Sequence, residues 1–236
     1  MPVSSARRAP LTRARVLAAA TAVADEVGIE RLTMRLVADR LDVEAMALYR
    51  HVASKDALLE GLVESVVDEV SAACATLDEP QPGPGEDWRA VARRRILTAR
   101  EVVLRHPWFP SLISARGTMG GSLLRYFDAF SGILLAGGLS PELLHRALHT
   151  LGSRVLGFTQ ELFAPDAPAL ADPDEATAAL EAVAADLPSI ARMMAVAVHD
   201  ADTTIGWCDD QAEFEFGLDV TLDGLEARRR EEAGRG

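Results

Sequence analysis

From residue 48 to residue 55 the chain reads Leu-Tyr-Arg-His-Val-Ala-Ser-Lys, placing a phenol, a guanidinium, an imidazole and an ammonium in one short stretch. Tyr49 and Lys55 can donate hydrogen bonds to neighbouring phosphate oxygens, contacts that hold a nucleic acid in register without reading its bases. Lys55 is the one lysine among 24 basic residues, so an ammonium is kept here in a chain that elsewhere uses arginine.

Other chemistries are poorly provided for. The five histidines are scattered, and no Ser-His-Asp, Cys-His or clustered metal-ligand pattern stands at useful spacing, so no catalytic residue, metal site or cofactor is expected. Gly117-Thr-Met-Gly-Gly121 lacks the Gly-Lys-Ser/Thr of a phosphate loop and follows no strand pattern. His106 precedes Pro107 and reads as a helix-ending residue. The two cysteines, Cys74 and Cys208, have no second thiol nearby and read as small buried side chains.

The elements that must position the 48–55 stretch are helical. A first helix over 12–27, with Thr12 as N-cap, carries Val16, Leu17, Ala20, Val23, Ala24 and Val27 at three- and four-residue steps, and Gly28 ends it. Thr33 caps a short helix whose apolar face is Leu36, Val37 and Leu41; Asp42-Val43-Glu44 breaks it before a second short helix, Ala45 to Val52. Two short helices at this spacing predict a helix-turn-helix, and its second helix would bring Ala45, Met46 and Ala47 over base edges in a major groove. Their side chains can offer only apolar contact, for instance with a thymine methyl, leaving polar specificity to Arg50. Ser54 caps a longer helix reaching roughly Leu77, and the Pro- and Gly-rich run 78–87 is a connector. Helical periodicity returns over 88–105, 122–136, 141–163, 175–198 and 210–229 with no strand alternation, so the fold class is all-α: a three-helix head over 11–55, a connecting helix over 56–77 and a larger helical domain over 88–229.

Charge follows the same division. The net charge is −12, yet residues 1–55 carry +3 and the remainder −15, a cationic head on an acidic body. No window approaches 18 uninterrupted apolar residues and the start lacks a secretory core, so a cytoplasmic protein with no membrane partner is expected.

From Leu11 to Val70 the sequence resembles the TetR family of repressors, through Gly28-Ile-Glu-Arg-Leu-Thr-Met-Arg-Leu-Val-Ala-Asp-Arg-Leu-Asp-Val43 and Ala47-Leu-Tyr-Arg-His-Val-Ala-Ser-Lys-Asp-Ala-Leu-Leu59. The resemblance implies that Thr33 and Arg35 face DNA from the preceding helix, Arg35 with a fork that fits guanine, and that Tyr49, His51 and Lys55 hold phosphates. The later half is similar to the tetracycline-repressor subgroup in Gly138-Leu-Ser-Pro-Glu-Leu-Leu144, Leu156-Gly-Phe-Thr-Gln-Glu161 and Phe214-Glu-Phe-Gly-Leu-Asp-Val-Thr-Leu-Asp-Gly-Leu-Glu226. It implies a repressor that an inducer releases from a palindromic operator.

Two seams could pair with a second copy: Leu144, Leu148, Leu151 and Val155, continued by Phe158, and Phe214, Leu218, Leu222 and Leu225. The resemblance implies that they form a four-helix homodimer interface; packing within one chain is the alternative. An effector pocket is expected among Trp108, Phe127, Phe130 and Phe158, with Arg95, Arg154 and Glu161 as polar groups on apolar walls. Glu161 matches an acidic position near the family's drug. Where that drug's magnesium chelate is held by a histidine, this chain has Ile113-Ser-Ala-Arg-Gly117, so a metal-free small molecule is expected. The rival expectation is a helical small-molecule-binding protein or enzyme that grips no operator.

Overall fold

A computed structural model describes residues 10–77, 82, 87–116, 120–158, 187–189, 192 and 210–235. Each early helix begins where a short hydroxyl side chain can satisfy a free N–H. Thr12 accepts from the Arg15 N–H at 3.2 Å and opens α1, Arg13–Val27. Thr33 accepts from Leu36 at 3.2 Å and opens α2, Met34–Leu41. Ser54 accepts from Ala57 at 3.0 Å and opens α4, Lys55–Ala75.

Between α2 and α4 the chain turns sharply. Asp42 takes a left-handed conformation, φ +55°, which a short polar side chain tolerates better than a branched one, and this ends α2. The second short helix, α3, spans Ala45–Leu48, not the expected Ala45 to Val52. Tyr49, Arg50 and His51 continue it only as turns, with the His51 and Val52 N–H groups both reaching the Leu48 carbonyl. Leu48 is fully buried, as are Leu32, Val37, Leu58 and Leu62 of the head, while the residues after it run as turns on the surface.

Beyond the connector come α5, Trp88–Val103; α6, Phe109–Arg116; α7, Gly121–Ala136; α8, Pro141–Leu151; and α9, Asp210–Ala233. One compact unit contains residues 1–158 with 228–236, and a second contains 159–227. Within the first, α4 packs on α1, α5, α6 and α7. Its buried Leu58 and Leu62 belong to the end nearest the head, and Val66, Val67, Val70 and Cys74 to the end nearest α5.

The helix expected over 141–163 ends at Leu151. Gly152 (φ +47°) starts a 3-10 segment, Gly152–Leu156, and Gly157 (φ +79°) closes it. A Cβ on Gly157 would stand 2.3 Å from the Arg100 backbone nitrogen, so the missing side chain lets this segment lie directly on α5. The proposed seam splits accordingly. Leu151 and Val155 are buried inside the chain, as are Leu143 and Ala147, whereas Leu144 and Leu148 are half-buried. On α9, Phe214, Leu218, Leu222 and Leu225 are also buried within one chain, while Phe216 (68% exposed) and Val220 (57%) face outward. Leu151, Val155, Phe214, Leu218, Leu222 and Leu225 are thus buried already in the single chain, and Leu144, Leu148, Phe216 and Val220 keep exposed surface.

Gly157→Ala is expected to destabilise the protein by more than about 2 kcal/mol, since strain and a backbone clash coincide; chemical denaturation of the purified variant measures it.

Candidate nucleic-acid interface and effector site

The head's outer face collects the expected DNA contacts. Thr33, Arg35, Met46, Tyr49, Arg50 and Lys55 are exposed, and Ala45, Ala47 and His51 are half-buried beside them. Met46, at 74% exposure, is an apolar side chain held largely in water. Tyr49 is 43% exposed, so its phenol is open to an external partner.

Charge pairing separates these cations from their neighbours. Arg13 meets Glu64 at 3.2 Å and Arg40 pairs with Glu26. Arg35, Arg50 and Lys55 make no ion pair among the described residues. Cations left without acids on an acidic protein keep their full field for an external polyanion. The Thr33 hydroxyl, while accepting from Leu36, retains its proton for a phosphate oxygen.

Behind this face a polar clasp ties the head to the body. His106 Nδ1 lies 2.8 Å from Asp25 Oδ1 of α1, and its Nε2 lies 3.3 Å from Glu69 Oε2 of α4. Trp108 Nε1 donates to the same Asp25 oxygen at 2.6 Å, and Arg105 donates to Glu69 at 2.5 Å. Burial opposes the Glu69 charge, but the hydrogen bonds and positive charges of Arg105 and His106 outweigh it and hold the carboxyl below its ordinary range. His106 is thus more than a helix stop. Trp108, expected on a pocket wall, is 5% exposed and turns its one N–H to Asp25. The partners stand 81 and 37 residues from His106, so no local spacing could have revealed them.

The residues expected to line an effector pocket fall mainly on α5, α7 and the 3-10 segment, and α5 packs on both of the others. Arg95 is 7% exposed, with its guanidinium 5.0 Å from the Tyr126 ring centroid. Phe130 is fully buried one turn beyond Tyr126, and Phe127 is half-buried. Phe158 meets Phe109 edge-on at 6.4 Å. Arg154 lies in the 3-10 segment, beside Val155, whose carbonyl accepts from the Tyr126 hydroxyl at 2.5 Å. Glu161 is outside the described residues. A narrow hollow opens between α4, α6 and α7, lined by Val63, Val67, Ile113, Arg116, Ser122 and Leu123 among others. The wider trough between α1 and α4 is open and bordered by Asp25, Glu64, Asp68 and Glu69, a poor enclosure for a small molecule. Among the described residues no group of three or more potential ligands could hold a metal ion.

A helix-turn-helix with outward cations that make no ion pair among the described residues, joined by one shared helix to a larger helical domain, defines a DNA-binding regulator. A model of the tetR family of bacterial regulatory proteins matches residues 16–62, and one of the tetracyclin repressor-like C-terminal domain matches residues 79–229. The tetracycline repressor protein class A from transposon 1721 of Escherichia coli is 30% identical over 214 residues, covering 91% of this chain and 90% of that one. The HTH-type transcriptional repressor DrrR1 of Streptomyces coeruleorubidus is 29% identical over 236 residues, covering 94% and 81%. The crystal structure of a possible TetR family transcriptional regulator from Streptomyces coelicolor A3(2) has a TM-score of 0.69 at 32% identity, covering 91% of this chain and 98% of that one. The chain belongs to the TetR family of bacterial regulatory proteins and carries a tetracycline repressor-like C-terminal domain.

Asp25→Ala is expected to cost about 1–3 kcal/mol, because it strands the His106 and Trp108 donors; thermal and urea unfolding of the variant measure it.

Proposed function

We propose that this chain acts as a homodimeric transcriptional repressor that grips a palindromic operator and releases it when a small molecule enters the helical body. The observation that carries the proposal is the set of outward cations, Arg35, Arg50 and Lys55, that make no ion pair among the described residues, on and beside a helix-turn-helix. In this reading residues 11–55 read DNA, residues 56–77 connect, and residues 88–229 bind effector and partner subunit. Arg35 and Arg50 supply polar readout, Ala45, Met46 and Ala47 supply apolar contact with base edges, and Thr33, Tyr49, His51 and Lys55 hold the backbone.

Two heads on one palindrome make the second attachment intramolecular, which a small head with few contacts needs. The outward face of α9 is suited to the pairing. Phe216 and Val220 lie one turn apart, and Gly224, a further turn on, meets nothing within 4 Å. Leu144 and Leu148 of α8 are the members of the other expected seam that keep exposed surface.

Release requires that effector favour a conformation whose heads no longer fit the operator; equal affinity for both conformations would change nothing. The clasp offers a mechanical route. Glu69 lies on α4, Asp25 on α1, and His106 just ahead of α6, so a shift of α6 is felt directly in the head. The relatives named as tetracycline repressors support a small-molecule effector. No described helix is long and apolar enough to cross a membrane, which agrees with a place alongside the chromosome.

On a duplex that the wild type retains, Tyr49→Ala and Lys55→Ala are expected to weaken binding for all sequences alike, Lys55→Ala lowering the salt slope by about 1. Arg35→Ala is expected to cost roughly 1–3 kcal/mol and to relax base preference. Fluorescence anisotropy at several salt concentrations measures all three, and unchanged affinity in every variant would remove the assigned DNA face. Phe216→Glu with Val220→Glu is expected to yield folded monomers in light scattering, whereas Leu218→Glu should unfold the chain.

A further inference from the structure

Helix α8 starts firmly. Ser140 accepts from the Leu143 N–H at 3.1 Å, and Pro141 stands in the first turn, where a missing N–H loses no helical bond. Leu143, Ala147 and Leu151 then turn into the core, which fixes what the opposite face presents. That face carries His145 and His149, both exposed and one helical turn apart. Their rings stand edge to face with centroids 4.7 Å apart.

The other described histidines are committed elsewhere. His106 sets a carboxylate against each ring nitrogen, and His51 lies beside the DNA face. His145 and His149 make no hydrogen bond or ion pair among the described residues, so their ring nitrogens are left to solvent. Arg146, the cation between them, pairs with Glu142 at 2.6 Å. Two imidazoles that share one ion through bonds of roughly 2.0–2.1 Å, at octahedral to tetrahedral angles, hold their centroids roughly 4.5–5.2 Å apart. The observed spacing lies inside that range, so the rings need little movement to share an ion. The pair also occupies the last two turns of α8, where the carbonyl end of a helix favours positive charge, and the body outside the head is acidic.

We infer that His145 and His149 form a transition-metal site on α8, taking one divalent ion of the zinc, copper or nickel type per chain. Among the described residues no third protein ligand joins them, so water fills the remaining positions. Imidazole nitrogen suits these ions, whereas magnesium and calcium seek oxygen donors. A chelate across one turn forms only when 145–149 are helical, so the ion stabilises the folded chain. The site is separate from the DNA face and does not depend on the repressor reading.

The test is calorimetric titration of Zn2+ into the full-length protein without a histidine tag, with excess Mg2+ present throughout. Wild type is expected to take one ion per chain. His145→Gln and His149→Gln are each expected to weaken binding by at least about 10-fold, since losing even a group behind a metal ligand costs that much. The double variant is expected to lose the site, and His51→Gln to keep it. Both histidines are exposed, so all these variants are expected to match the wild-type Tm in the presence of chelator, while added Zn2+ raises Tm in the wild type and leaves the double variant unchanged. With Cu2+ in place of zinc, electron paramagnetic resonance is expected to show coupling to two imidazole nitrogens in the wild type and to one in each single variant. Zinc affinity that survives in the double variant, displacement of zinc by Mg2+, a copper signal without paired nitrogens, or one ion shared by two chains would each overturn the inference.

Discussion

The rest of the structure depends on α4 having to satisfy two cores at once. Its Leu58 and Leu62 close the head, and its Val66, Val67, Val70 and Cys74 close the body. A helix buried at both ends cannot shift to suit one without disturbing the other, because close-packed interiors switch between arrangements instead of deforming smoothly. The clasp of Asp25, Glu69, His106 and Trp108 strengthens this by tying α1 and α4 to the segment that enters α6.

On this framework the head and the body use opposite electrostatics. In the head, Arg35, Arg50 and Lys55 stay exposed with no ion pair among the described residues, where water screens them until a polyanion displaces it. The body buries a guanidinium where screening is weak and an unmatched charge is costly. Arg35 and Arg95 carry the same group, and burial alone sets them apart, one open to water and the other enclosed in the body.

What the sequence made legible was local. Thr12, Thr33 and Ser54 cap the helices they precede because the bond spans only three residues, and the Tyr49 to Lys55 stretch lies in one turn and the start of the next helix. For the seams the limit is physical: Leu143 and Leu144 are adjacent, and periodicity alone does not say which faces inward. The core takes Leu143, Ala147 and Leu151, and Gly152 and Gly157 break a pattern whose apolar spacing continues past them. On α9, too, the regular apolar row is the internal one, and the outward face is the pair Phe216 and Val220. The clasp joins residues far apart in the chain, so only the fold reveals it, together with the Trp108 N–H that it holds.

The most direct measurement of the central claim is selection of duplex DNA from a random pool by the purified protein at several salt concentrations. The account predicts enrichment of a palindrome, bound two subunits per duplex with affinity that falls steeply as salt rises. Failure to enrich any sequence, or enrichment of a single half-site by a monomer, would contradict it.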